Sequence, residues 1–273
     1  MIRMIATDLD DTLLDAHSAL TPRALAALRA AMETGCRVAL SSGRMLEAVL
    51  PLAEQIGVNA PMLLYNGAMI YDHAADAVLH ASRIPFALAL KIAELLESEG
   101  YYLQMYPGRG YYCSAVLDRT KAYAAAIHVP ATPVGMPMAE WLRRNPADLQ
   151  KILLIEPAEA ADQAQAMLRE AFGGAISCMK SKPILLEISP EGVDKGRALA
   201  ILAERLGVAR EEIMAFGDGQ NDVPMLEYAG EGWAVRNACE QALRCTDRVA
   251  PRNTQDGVAQ IIEQTLRERR LGG

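Results

Sequence analysis

Short apolar runs alternate with longer helical stretches at both ends of this chain, and that alternation leaves few folds open to it. Residues 2–7 and 37–40 are apolar runs of strand length, and a stretch with helical spacing follows each of them. The first helix should begin at Thr21-Pro22, because threonine caps helices and proline fits the first helical position. Strands that alternate with helices favour a parallel sheet with helices on its faces.

The alternation is interrupted between about residues 82 and 185. Tyr101–Tyr106 and Tyr111–Ala115 flank Pro107-Gly108-Arg109-Gly110, which predicts an antiparallel hairpin with a four-residue turn. The first pattern returns after Leu185–Ile188. We therefore predict an α/β core built from residues 1–81 and 186–273, with residues 82–185 inserted as a separate α+β domain.

Composition excludes several kinds of partner. The chain of 273 residues is 51% hydrophobic and carries a formal net charge of −7, whereas a nucleic-acid-binding protein needs a basic face. Its five cysteines are odd in number and show no C-x-x-C spacing, which indicates reduced thiols and a cytoplasmic location. The apolar run before Asp8 is too short for a signal peptide or a membrane span. We expect no binding to nucleic acid or membrane.

Four polar clusters stand where predicted strands end or helices begin. They are Asp8-Leu9-Asp10, Ser42-Gly43, Lys195 and Gly217–Asp222. Three of them directly follow a predicted strand, and Lys195 opens a helix after a plausible cap. Because ligands bind at the carboxyl ends of strands in open parallel sheets, we expect these clusters to form one crevice.

The aspartates of these clusters predict a metal site. Asp8, Asp10 and Asp218 would concentrate like charges in the crevice unless a cation lay between them. Carboxylate oxygens suit Mg²⁺, which also accepts oxygens of a substrate phosphate. A carboxylate can attack phosphorus, and a second carboxylate two residues on can protonate the leaving oxygen and then activate water.

The remaining clusters supply groups that suit a phosphate. Ser42 and the amide of Gly43, at the start of a helix, can donate hydrogen bonds to phosphate oxygens. Lys195 can neutralise charge on the nucleophile and the phosphoryl group. Alone, each residue has a simpler interpretation, such as a helix cap or a solvated surface charge, but together and in this order they favour a functional site.

With these motifs in hand, the chain resembles the haloacid dehalogenase superfamily, and within it the Cof-like subfamily IIB, over nearly its whole length. The segments that carry the resemblance are Asp8-Leu9-Asp10-Asp11-Thr12, which is similar to the D-x-D-x-T motif, Leu40-Ser41-Ser42-Gly43-Arg44, Asp194-Lys195-Gly196-Arg197, Gly217-Asp218-Gly219-Gln220-Asn221-Asp222, which is similar to G-D-x-x-N-D, Tyr65-Asn66-Gly67-Ala68 and Asp256-Gly257-Val258-Ala259. The resemblance implies a Rossmann-like core with an inserted α+β cap.

It also implies a role for each residue. Asp8 would be the nucleophile and a Mg²⁺ ligand, and Asp10 the general acid/base, with its backbone carbonyl on the metal. Asp218 would be the remaining protein ligand, and Asp222 would support Asp218 without binding the metal itself. The phosphate would be held by the Leu9 amide, Ser42, Gly43, Lys195 and Asn221. The chain departs from many members at Asp11, where they carry glycine, and we expect at most an altered local turn.

The expected function is Mg²⁺-dependent hydrolysis of small phosphate monoesters through an aspartyl-phosphate, by a monomer or small homo-oligomer. Three alternatives stay open at this stage: a sugar phosphomutase, a phospho-accepting signalling domain and a metabolite-binding protein without catalysis. The insert carries most of the tyrosines and none of the catalytic clusters, so we expect it to set specificity, although these tyrosines can also simply pack its sheet. The sequence does not name the substrate.

Overall fold

The computed structural model describes residues 1–272. Its strands are β1 (Met4–Thr7), β2 (Arg37–Leu40), β3 (Met62–Leu64), β4 (Met69–Asp72), β5 (Ala77–Ala81), β6 (Leu103–Pro107), β7 (Tyr112–Cys113), β8 (Thr132–Pro133), β9 (Leu149–Ile155), β10 (Ile176–Lys182), β11 (Leu185–Pro190), β12 (Ile213–Gly217), β13 (Glu231–Val235) and β14 (Val249–Ala250). Its helices are α1 (Pro22–Glu33), α2 (Leu46–Ile56), α3 (Phe86–Ser98), α4 (Asp118–Ile127), α5 (Met138–Arg144), α6 (Ala158–Phe172), α7 (Lys195–Leu206), α8 (Val223–Tyr228), α9 (Glu240–Arg244) and α10 (Gly257–Arg267).

The chain forms two compact units, and the first combines both of its ends. This first unit comprises Met1–Gly43, Val49–His80 and Asp194–Gly273, and the second comprises Arg44–Ala48 and Ala81–Val193. The sequence placed the return to the core at residue 186. The structure keeps β11 in the second unit, because β11 pairs with both β9 and β10.

The first unit is built on a five-stranded parallel sheet with the order β14-β13-β12-β1-β2. Its central strand β12 is fully buried, as is β1, which pairs with β12 on one side and β2 on the other. A smaller sheet, β3-β4-β5, adjoins β2 through a bridge between Ser41 and Leu63. The prediction of a parallel-sheet α/β core is confirmed.

Local signals fix the ends of the helices that flank this sheet. The hydroxyl of Thr21 accepts a hydrogen bond from the Ala24 backbone N–H at 3.0 Å, and so caps α1. Asp194 caps α7 in the same way through the N–H of Arg197 at 2.7 Å. This second cap matters for the site, because it makes Lys195 the first residue of α7.

The second unit carries a six-stranded sheet with the order β10-β11-β9-β6-β7-β8. Strands β6 and β7 pair antiparallel, with Met105 opposite Tyr112, so the predicted hairpin is present. One face of this sheet is apolar and packs against helices α3, α5 and α6 in a single core, through residues such as Ile92, Leu142, Ile152 and Leu168. Among residues 1–272, no helix has the length and apolar character needed to cross a membrane.

Candidate active site

The predicted site residues follow three adjacent strands of the parallel sheet. Asp8 comes directly after β1 and Asp218 directly after β12, and Ser42 lies two residues beyond β2. The strand pairing continues into these loops, because the Asp8 N–H donates to Phe216 O at 3.0 Å and the Ser41 N–H to Thr7 O at 2.9 Å. The carboxyl ends of the three strands therefore bring these segments to one edge of the sheet.

A buried lysine joins two of the aspartates. Lys195 is 0% exposed, and its Nζ donates to Asp8 Oδ1 and to Asp222 Oδ1, each at 2.6 Å. Burial by itself lowers the pKa of a lysine, but here the charges of Asp222 and Asp8 outweigh it and raise the pKa of Lys195 above its usual value. Lys195 is therefore a permanent positive charge held against Asp8.

Asp222 uses both carboxylate oxygens inside the protein. While Oδ1 accepts from Lys195, Oδ2 accepts from the backbone N–H groups of Asp218 at 2.9 Å and Gly219 at 2.8 Å. These contacts hold both the turn after β12 and the ammonium group of Lys195 in place. The arrangement supports a positioning role for Asp222, because no oxygen of its carboxylate is left without a protein hydrogen bond.

The metal site can be tested against the donors that the chain provides. Asp8, Asp218 and Asp222 each offer a carboxylate oxygen, and these oxygens lie within 4.8 Å of one another. Burial raises the pKa of Asp8 well above its ordinary value although Lys195 opposes the shift, and burial together with the charge of Asp222 raises the pKa of Asp218 to about 7. One lysine among three carboxylates, of which Asp8 and Asp222 are buried and Asp218 is half-buried, leaves an excess of acidic groups, so a hard divalent cation fits this site.

The loop that follows Asp8 turns sharply at Asp11 and then contacts Asp218. Asp11 adopts a left-handed backbone conformation with φ of 56°, which explains why glycine is common there in the family that the sequence resembles. Aspartate is among the few residues that tolerate this conformation, so the departure keeps the turn. One residue further, the Thr12 hydroxyl donates to Asp218 Oδ1 at 2.7 Å and ties the loop to the far aspartate.

A second set of contacts links Ser42 to Asn221. The Ser42 N–H donates to Leu63 O at 2.8 Å, the Asn66 N–H donates to Ser42 O at 3.0 Å, and Asn221 Nδ2 donates to Asn66 Oδ1 at 3.0 Å. The turn that carries Asn66 requires Gly67, whose φ is +96° and whose position lies so close to Asp194 O that a side chain would clash with it.

Among the predicted residues, Asp8, Lys195, Asp218 and Asp222 meet directly. Asp10 is near enough that its charge contributes to the raised pKa of Asp8. Leu9 and Ser42 are buried in the adjoining loops, and Gly43 follows Ser42. The phosphate-binding roles of Leu9, Ser42, Gly43 and Asn221 stay predictions.

Sequence reasoning assigned no role to Thr12 or Asn66, although both lie in the quoted motifs. Thr12 contacts Asp218, and Asn66 contacts Asn221, in each case from a segment far away along the chain. The hydroxyl position of D-x-D-x-T and the Asn-Gly turn were the signals available for finding them.

Fold and site together define an α/β enzyme of the phosphoryl-transfer class. The model of the haloacid dehalogenase-like hydrolase family matches residues 5–262, and the chain belongs to this family. The family and Cof-like assignment made from the motifs is thereby confirmed.

Two named relatives span essentially the whole chain. The chain is 30% identical to the pyridoxal phosphate phosphatase YbhA of Escherichia coli, over 97% of this chain and 98% of that protein. It is 28% identical to the HMP-PP phosphatase of Serratia proteamaculans, over 98% and 96% of the two chains. Because the chain belongs to this hydrolase family and these two relatives are phosphatases, the chain is a hydrolase of phosphate monoesters.

Solved structures agree with this assignment. A haloacid dehalogenase-like hydrolase from Bacteroides thetaiotaomicron superposes with a TM-score of 0.86 at 27% identity, covering 97% of this chain and 99% of that one. A structure described as the subclass IIB sugar phosphatase BT4131 superposes with a TM-score of 0.82, covering 96% and 98% of the two chains; at 19% identity, this similarity concerns the fold alone.

Proposed function

We propose that this phosphatase acts on small phosphorylated metabolites and forms a phosphoaspartate on Asp8. The observation that carries the proposal is the contact of Lys195 with Asp8 Oδ1 at 2.6 Å inside a buried cluster. The positive charge of Lys195 opposes the rise that burial causes in the pKa of Asp8 and so favours its ionised, nucleophilic form, and it compensates charge on the incoming phosphoryl group. Relatives named for pyridoxal phosphate and HMP-PP phosphatase activities support the class of substrate.

The reaction would proceed in two displacements. A carboxylate oxygen of Asp8 forms a bond to phosphorus while the ester oxygen leaves, and Asp10 gives its proton to that oxygen. Asp10, now ionised, takes a proton from water, whose oxygen attacks the phosphoaspartate and releases inorganic phosphate. Asp8 returns as a carboxylate and Asp10 as the acid, so protons and charge balance over the cycle.

We propose that Asp8, the backbone carbonyl of Asp10 and Asp218 hold a Mg²⁺ ion. When bound, the ion would neutralise charge that accumulates on the phosphoryl oxygens. Two residues that do not contact the ion would orient Asp218. Thr12 donates to the carboxylate of Asp218, and Asp222 accepts from the backbone N–H of Asp218. The Leu9 amide, Ser42, Gly43 and Asn221 would complete the phosphate site.

We further propose that the first unit is the catalytic core and that the second unit, as a cap, selects the leaving group. The face of the six-stranded sheet opposite its helices carries several buried polar side chains. Lys151 Nζ donates there to Glu187 Oε2 at 2.9 Å and lies 4.9 Å from the centre of the Tyr106 ring, which stacks on Tyr111. Gln104 on the same face has a buried Nε2 without a hydrogen-bond partner in residues 1–272. Such groups suit a polar leaving group.

The five free cysteines support a cytoplasmic location for the enzyme. The phosphomutase alternative remains distinguishable in solution: release of inorganic phosphate without any bisphosphate activator decides for hydrolysis. Steady turnover of that kind also excludes a signalling domain and a non-catalytic binding protein.

The test separates the two aspartates by using p-nitrophenyl phosphate, whose leaving group needs no acid. Asp8→Asn should form no acid-stable phosphoprotein and release no phosphate, because an amide does not attack phosphorus. Asp10→Asn should release about one equivalent of p-nitrophenol in a burst and then stop, with phosphate retained on the protein. Intact-protein mass spectrometry after acid quench measures both. Turnover by Asp8→Asn, or steady turnover by Asp10→Asn, would contradict the assignment.

A further inference from the structure

Two adjoining cavities lie at the opposite edge of the parallel sheet from the proposed active site. The larger has a volume of about 240 Å³ and the smaller about 140 Å³, and Arg37 and Leu206 line both of them. Arg37 is the first residue of β2, whereas Ser42 follows the other end of that strand. At ~3.3 Å per residue, the two positions are roughly 16 Å apart, so the cavities are separate from the catalytic crevice.

Two arginines that line the larger cavity, Arg37 and Arg205, have no carboxylate partner among the residues that the structure describes. Arg205, in the last turn of α7, is exposed and makes no ion pair within residues 1–272, and Arg37 donates through Nη1 to Asn59 O at 3.1 Å. Asp72 is the acidic residue that lines the larger cavity, but its Oδ1 already accepts the N–H groups of Ala74 and Ala75. In a chain with a net charge of −7, this local excess of positive charge stands out.

A third arginine extends the positive lining into the smaller cavity. Arg3 lines it together with Arg37, although Arg3 also contacts Glu212 Oε2 and Gly207 O, each at 3.2 Å. The partly satisfied Arg3 would add less to binding than Arg37 and Arg205, whose guanidinium groups keep most of their donors for a ligand.

The larger cavity adds a polar atom and an apolar wall. The Nδ1 atom of His73 is buried and has no hydrogen-bond partner within residues 1–272, so it can still accept or donate a bond. The wall is formed by Val58, Ala60, Pro61, Leu79 and Leu206. Guanidinium groups beside apolar carbon suit a ligand that combines an anionic head with an apolar body.

We propose that this larger cavity is a second ligand site, which binds a small organic phosphate through Arg37 and Arg205 and seats its apolar body on the adjacent wall. The guanidinium forks match phosphate oxygens in geometry as well as charge. No covalent step occurs there, and the site does not depend on the catalytic assignment, because none of its residues belongs to the active site.

The probe for the test is phenylphosphonate, which carries a dianionic head and an apolar ring but no ester to hydrolyse. NMR titration follows the Nε–H signals of Arg37 and Arg205, which Arg37→Lys and Arg205→Lys identify. We expect both signals to shift together and to saturate with one dissociation constant, on the order of 1 mM or below. Inorganic phosphate should bind more weakly, because it lacks the apolar body.

Variants separate this site from the catalytic one, which also has affinity for the probe. The double variant Arg37→Gln/Arg205→Gln should lose about tenfold or more in affinity at this site. Calorimetry should then count one binding site fewer per protein than in the wild type, whereas kcat/KM for p-nitrophenyl phosphate should stay the same. Arg248→Gln, an exposed arginine that lines neither cavity, is the matched control and should change nothing. Because Arg205 is exposed and forms no ion pair with any described residue, Arg205→Gln alone should fold normally and show part of the loss.

Three results would overturn the proposal. They are shifts that grow linearly without saturation, equal binding of phenylphosphonate by the wild type and the double variant, and equal affinity for phosphate and phenylphosphonate. None of these results bears on the phosphoaspartate on Asp8, which is measured by acid quench, so the two proposals fail separately.

Discussion

Lys195→Met removes the cation that contacts Asp8 and Asp222 and replaces it with an apolar side chain of similar length. Two carboxylates with little or no exposure then face each other without their lysine, which is 0% exposed in the folded protein. Breaking a buried ion pair from one side costs about 3–5 kcal/mol, because the remaining charge is left unpaired in a medium of low dielectric constant. At roughly 2–4 °C per kcal/mol, the melting temperature should fall by roughly 6–20 °C.

The chain offers a matched control in Lys151, a second buried lysine. It pairs with Glu187 at 2.9 Å in the second unit. The side chains of this pair are as buried as those of Lys195 and its two carboxylate partners, within a few per cent of exposed area. Lys151→Met should therefore destabilise the protein by a comparable amount. It should leave phosphoaspartate formation from p-nitrophenyl phosphate intact, whereas Lys195→Met should abolish it.

The assay is urea unfolding followed by circular dichroism, together with single-turnover phosphorylation at a temperature where each variant is folded. Adding Asp222→Asn to Lys195→Met should restore part of the lost stability, because it removes one of the two uncompensated charges, with a coupling of about 0.5–3 kcal/mol. A loss below about 1 kcal/mol for Lys195→Met would refute the reasoning from burial. Loss of phosphorylation in Lys151→Met would refute the separation of chemistry from the cap.

Three further predictions concern the metal, pH and specificity. Exhaustive chelation should abolish turnover and Mg²⁺ should restore it, while Ca²⁺ should inhibit because its coordination shell is larger and looser; activity that survives chelation would contradict the metal site. The pKa of Asp218 rises from 3.8 to about 7 on folding, so between these pH values the folded metal-free protein holds one proton more than the unfolded protein. Urea titrations from about pH 4 to pH 7 should therefore show that the free energy of unfolding falls as pH rises, and Mg²⁺ should reduce this slope. A free energy of unfolding that rises over this range would contradict the pKa shift. Tyr106→Ala should change the rank order of kcat/KM among phosphate esters and spare the Mg²⁺ requirement, with Tyr106→Phe as control, and a uniform loss would indicate packing alone.

The tyrosines of the insert show where sequence reasoning stopped. Alternation along a strand tells which side chains share a face, but it does not tell what that face meets. In the structure Tyr112 stacks on Trp141 and packs against the apolar core, whereas Tyr106 stacks on Tyr111 on the opposite face, beside Lys151. The neighbours come from other strands and helices, so no local pattern could have separated these two roles.

Strands that the sequence analysis did not find have the same explanation. Ile176–Lys182 and Glu231–Val235 become strands because each pairs with a neighbour, β11 and β12 respectively. The first contains Lys180 and Ser181 and the second contains Gly232, so neither shows a clean alternation of apolar and polar residues. Pairing with a strand that is already formed decides such segments, and pairing is a property of the tertiary fold.

By itself, the sequence determined the chemistry of this protein. Capping residues such as Asp194, apolar runs of strand length and the acidic clusters that follow them are local signals, and a parallel sheet necessarily collects the ends of its strands at one edge. The tertiary structure alone decided which residues meet: Asp222 with Lys195, Thr12 with Asp218, and Arg37 with Arg205 around one cavity at the far edge. These contacts join residues far apart along the chain, and only the packing of the elements brings them within hydrogen-bonding distance.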